Sequence, residues 1–134
     1  MSEKLDVVVE AQMQWGMSLS DDQKAALRAD RTKLKEDGEH KAAIVAAYTQ
    51  LMTESDADAN GRLDLQEFGV FLRKVSEAEA ARGLPARSWT DDSVATTYAY
   101  FNEADETDGV TPEQFWTQFR AMTAKITAIL QAAQ

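Results

Sequence analysis

Cysteine is absent from the 134 residues, which removes disulfide scaffolds, thiol nucleophiles and thiolate metal sites together. The single histidine, His40, leaves little from which to build a Ser-His-Asp constellation or a histidine zinc site. Basic residues are few beside acidic ones, Lys+Arg 14 against Asp+Glu 23, for a formal charge of −9. That charge repels phosphate backbones and anionic membrane surfaces, which argues against nucleic-acid binding and favours cations or a basic partner. No apolar run approaches the about 18 residues that a membrane span needs. The start, Met1-Ser2-Glu3-Lys4, has neither the apolar stretch of a signal peptide nor the glycine used in myristoylation. These absences predict a cytoplasmic protein forming a single domain over residues 1–134, large enough to bury a core without covalent help.

Proline (2) and glycine (6) are also scarce, and period-2 alternation is missing, so the expected fold class is all-α. Helix starts are written in side-chain chemistry. Ser20-Asp21-Asp22-Gln23 reads as a capping box, and Thr90-Asp91-Asp92 caps another start, with Trp89 and Val94 as its hydrophobic staple. Thr111-Pro112-Glu113-Gln114 opens a third helix with proline where no N–H is needed, stapled by Val110 and Phe115. Asp64, followed three residues later by Glu67, opens a fourth. Arg82-Gly83-Leu84-Pro85 is a stop, and Gly16 and Gly38 are expected to end earlier helices. The layout is therefore two N-terminal helices within residues 1–40 and four more near 41–54, 64–82, 90–102 and 111–132.

Apolar stripes at helical spacing agree with this layout: Ile44, Tyr48, Leu51 and Met52; Phe68, Phe71, Leu72 and Val75; Phe115, Phe119, Met122, Ile126, Ile129 and Leu130. Each reads first as core. Asp21 to His40 is more polar, with a thin stripe of Ala25, Ala26, Leu27 and Leu34, and is expected to be a peripheral helix ending near a solvated His40. Val8, Val9, Met13, Trp15, Met17 and Leu19 form an apolar strip that can fill a groove of the same chain; extending the core or mediating dimerisation are the other readings.

Between two of the helices lies Asp56-Ala57-Asp58-Ala59-Asn60-Gly61-Arg62-Leu63-Asp64-Leu65-Gln66-Glu67, which matches the calcium-loop spacing D-x-[DN]-x-[DN]-G-x5-E. Ca²⁺ is a hard cation that takes six to eight oxygens, so carboxylates and carbonyls at alternating positions of a curled loop suit it. Asp56, Asp58 and Asn60 would supply side-chain oxygens, Arg62 its backbone carbonyl, Asp64 an oxygen directly or through water, and Glu67 both oxygens of its carboxylate. Gly61 permits the sharp turn, and Leu63 is placed to form a short bridge with a partner loop. The alternative, an acidic solvated turn between helices, explains the charge but not the spacing.

With that loop flanked by helices, residues 41 to about 132 resemble the EF-hand family, as in calmodulin-like and sarcoplasmic calcium-binding proteins. The resemblance implies two helix–loop–helix units packed face to face, with the two N-terminal helices added to them. Asp105-Glu106-Thr107-Asp108-Gly109-Val110 occupies the place of a second loop. Counted back from the exit helix, that loop runs from Glu103 to Gln114; counted forward from the entering helix, it starts at Asp105. In either register Gln114 offers a neutral oxygen where a bidentate carboxylate is needed, so the loop near 103–114 is expected to be degenerate, pairing Val110 with Leu63. One Ca²⁺ is expected.

The first functional expectation is a calcium sensor that binds a basic amphipathic helix of a partner protein in a groove lined by Tyr48, Leu51, Met52, Phe68, Phe71, Phe101, Phe115, Phe119 and Met122. A calcium buffer or calcium-stabilised structural protein that opens little is the alternative, supported by the apolar N-terminal strip, while the modest methionine content of these helices argues against a sensor. Catalysis is not expected: Asp21-Asp22 and Asp91-Asp92 follow helix caps, where negative charge complements the helix dipole.

Overall fold

The computed structural model describes residues 3–102 and 109–132. Among these residues it is all-helical: α1 (Glu3–Met17), α2 (Asp21–Glu36), α3 (Gly38–Ser55), α4 (Leu65–Ala81), α5 (Asp91–Phe101) and α6 (Pro112–Ala132). No helix among the described residues is long and apolar enough to cross a membrane.

Caps decide most of the boundaries. Ser20 and Gln23 bond reciprocally at the start of α2, as do Asp64 and Glu67 at α4, and Thr90 and Ser93 at α5. Thr111 Oγ1 accepts from Gln114 N at 3.1 Å to open α6. At the end of α4, Leu84 N donates to Glu79 O and Gly83 N to Ala80 O, both at 3.0 Å. That pair of bonds is the stop expected at Arg82-Gly83-Leu84-Pro85.

Two glycines behave otherwise than expected. Gly16 lies inside the last turn of α1, and Gly38 is the first residue of α3. At Gly38 the reason is Asp37, which closes α2 through its N–H to Lys33 O and opens α3 by accepting from Glu39 N and His40 N. A carboxylate that caps the next helix outcompetes the stop a glycine would supply. His40 consequently sits in the first turn of α3 rather than at a helix end, and it is half-buried.

Packing follows the chain: α2 lies on α3, α3 on α4, α4 on α5 and α5 on α6, while α1 crosses back over α5 and α6. The ion pair Glu54–Lys74, at 3.5 Å, joins α3 to α4. The core contains Val8, Met52, Phe68, Phe71, Phe101 and Phe115, with Phe68 and Phe71 fully enclosed. Phe115 stacks on Phe101 at 5.0 Å and meets Phe71 edge-on at 5.2 Å, offset and edge geometries that suit aromatic quadrupoles. Tyr100 is buried with its hydroxyl donating to Gln118 O at 2.7 Å, while Gln118 Nε2 returns a bond to Tyr100 O at 3.0 Å. Of the residues expected to line a groove, Met52, Phe68, Phe71, Phe101 and Phe115 are buried together, and Leu51, Phe119 and Met122 pack half-buried against them. Val8 joins that core and Val9 is also buried, but Met17 is 70% exposed and falls outside the expected apolar strip. The side chain of Leu130 lies outside what the structure describes. α2 buries no residue, as its polar sequence predicts.

Candidate metal centre

The loop between α3 and α4 is organised by its own acids. Asp56 ends α3, and its carboxylate turns into the loop: Oδ2 accepts from Gly61 N at 2.8 Å and Oδ1 from Asn60 N at 3.3 Å. Gly61 has φ +81°, a left-handed conformation that a Cβ would strain. Ala59 also has positive φ, at 53°, which no motif position required. Asn60 donates from Nδ2 to Asp58 Oδ2 at 3.3 Å, and its Oδ1 accepts from Arg62 N at 2.9 Å.

Glu67 ties the loop ends together from the first turn of α4. It is buried, its Oε2 accepts from Ala57 N at 2.7 Å, and its Oε1 accepts from Asp64 N at 3.0 Å. Carboxylate oxygens of Asp56, Asp58 and Glu67 thereby lie within 4.8 Å of one another. Ca²⁺–oxygen distances of about 2.4 Å allow ligand oxygens on opposite sides of an ion to sit up to about 4.8 Å apart, so this spacing fits such a cation. Asp58 is held above the ordinary carboxylate range by desolvation in the loop, then by its hydrogen bond with Asp56 and repulsion from Glu67.

The other expected ligands are placed differently. The Asp64 carboxylate is not in this cluster; it accepts from Glu67 N at 2.8 Å and caps α4. The Asn60 oxygen is engaged in the turn, and Arg62 is half-buried with its N–H committed to Asn60.

Beside the loop, Leu63 and Val110 form an antiparallel bridge, with N–H to O distances of 2.9 and 2.8 Å. Gly109 makes the bridge possible: at φ +141°, a Cβ added there would lie 2.8 Å from Arg62 Cβ. Its N–H donates to Asn102 Oδ1 at 3.3 Å. A glycine at the position before Val110 was the available sign of this close approach, but the partner it meets lies far away in sequence. Gln114 is buried and donates from Nε2 to Phe101 O at 2.8 Å, while its Oε1 has no hydrogen-bond partner among the described residues. The acids expected in the second loop, Glu103, Asp105, Glu106 and Asp108, lie outside the described residues.

Comparison with known proteins finds no match to a protein-family model, to a curated protein sequence or to a solved structure.

Proposed function

We propose that this chain binds one Ca²⁺ through residues 56–67 and acts as a cytoplasmic calcium sensor that engages a partner protein, without catalytic activity. In this reading residues 41–132 are an EF-hand pair with one working and one degenerate loop, preceded by a helical extension over 1–40. The observation that carries it is the convergence of Asp56, Asp58 and Glu67 from the two ends of one curled loop, at a spacing a cation can bridge. Asn60, the Arg62 carbonyl and Asp64, directly or through water, would complete the shell. Bound Ca²⁺ would supply a charge that offsets the crowded carboxylates and couples the end of α3 to the start of α4.

A buffer or calcium-stabilised structural protein is the second reading. The enclosure of Phe68 and Phe71, together with Val8 of α1 in the same core, favours it, because opening would have to break that packing.

Titration calorimetry tests the proposal. One Ca²⁺ per chain is the expected result; two would overturn the degenerate second loop, and none would overturn the calcium reading. Fluorescence of Trp15, Trp89 and Trp116 then separates sensor from buffer. A spectral shift on calcium addition fits a moving helix pair, and an unchanged spectrum with one bound ion fits the closed alternative.

A further inference from the structure

Far from the calcium loop, α2 is held by charge rather than by apolar burial. Lys24, Ala26, Leu27, Asp30 and Leu34 are its half-buried residues, and α2 buries no residue fully. Asp30 occupies the middle of that face, where an apolar residue would ordinarily sit. Its Oδ1 meets His40 Nε2 of α3 at 3.2 Å and accepts from Arg82 Nη1, at the end of α4, at 3.1 Å. The three side chains are 17–29% exposed. Two further titratable groups face this cluster. Glu79 of α4 lies near Arg82 and Asp30, and Tyr48 of α3 lies near Glu79, Arg82 and Asp30. Trp116 of α6 covers Tyr48 with its ring, the centroids 6.2 Å apart, and brings no charge.

The geometry points to a proton-gated latch, in which Asp30, gripped jointly by His40 and Arg82, fastens α2 to the α3–α4 pair when the cluster gains protons and slackens as they leave. Protonation acts in one direction at both groups. A protonated His40 makes its contact with Asp30 a charge-assisted bond, where a neutral ring makes only an ordinary hydrogen bond. Protonated Glu79 ceases to repel Asp30 and to compete for Arg82. Burial, partly offset by Arg82 and reinforced by Asp30, raises Glu79 to about 7. Tyr48, raised to about 12 chiefly by burial, stays neutral throughout. On deprotonation the cluster holds Asp30 and Glu79 against Arg82 alone, an uncompensated negative charge at the point where α2 is fastened. A 16-residue polar helix released from its contacts is marginal in water, so slackening would appear as loss of helix.

Hydrogen exchange of the full chain in calcium-free buffer at constant ionic strength, corrected for intrinsic exchange, tests the latch. From about pH 6 to about pH 8 the protection of amides 21–36 should fall about tenfold, while amides of α4 and α5 keep theirs. The isosteric double substitution His40→Gln with Glu79→Gln removes both protonatable partners and should abolish the step, and Asp30→Asn should leave α2 poorly protected at either pH. Equal protection of wild-type α2 at the two pH values, or a step that persists in the double variant, would overturn the proposal.

Discussion

Glu67 concentrates the chemistry of the loop in one side chain. Its carboxylate is buried, and each oxygen already accepts a backbone N–H, from Ala57 and from Asp64. Each oxygen keeps a second lone pair, so the same group can close the loop and face an ion. Glu67→Gln replaces one oxygen by a donor that must confront an N–H, which costs about 1–3 kcal/mol, and it removes the charge a hard cation needs. Calcium affinity should fall about a hundredfold or more by calorimetry, and urea denaturation without calcium should show the structural cost separately. Ala59 is the opposite case, a residue in the left-handed region for which its side chain gives no reason. Ala59→Gly should relieve about 1 kcal/mol of backbone strain, read as an increased urea midpoint. A decrease would show that the entropy glycine loses on folding outweighs that strain.

At the scale of the element, what was legible in the sequence was what neighbouring residues decide among themselves. The caps at Ser20, Asp64, Thr90 and Thr111 act over three residues, and the acidic cluster draws its members from twelve consecutive positions, so short-range spacing suffices to find them. Gly38 misled because the same stretch holds a second local signal, the Asp37 carboxylate, and the cap prevailed over the stop. Contacts between distant elements were less readable: the approach of Gly109 to Arg62, the grip of Arg82 on Asp30, and the placing of α1. Val8 and Val9 mark the face α1 buries, yet the strip that contains them also includes Met17, which stands in solvent because α1 ends there. Val8 belongs to the same core as Phe68 and Phe115, so α1 contributes to closing it. Deleting residues 1–19 should increase 8-anilinonaphthalene sulfonate binding in the presence of calcium, with far-UV circular dichroism checking that the remaining helices persist. A folded deletion variant with no gain in dye binding would show that α1 covers no groove.

For the molecule as a whole, the charge of −9 is divided among different tasks. Asp21, Asp22, Asp91 and Asp92 stand in first turns, where the helix dipole favours them. Asp56, Asp58 and Glu67 crowd one loop, and Asp30 and Glu79 share one cluster at the other end of α3 and α4. Crowded carboxylates store pH dependence, and Glu79 shows its sign. Its folded-state value of about 7 stands above the ordinary 4.5, so between these values the folded chain binds a proton that the unfolded chain releases. The favourable contribution is present in full below about pH 4.5 and is lost as pH rises through about 7. A shift of that size corresponds to about 3 kcal/mol, which solvent screening of the half-buried carboxyl reduces. Glu79→Gln stays neutral at every pH and keeps the side-chain volume, so the variant and the wild type should have similar stability near pH 4.5. Near pH 8 the variant should be the more stable by about 2 kcal/mol, measured by urea denaturation at both pH values. If Glu79→Gln proved no more stable than the wild type near pH 8, the ionised carboxylate would have to be compensated by Arg82, and the negative charge at this end of the molecule would then be as well paired as the charges at the helix starts.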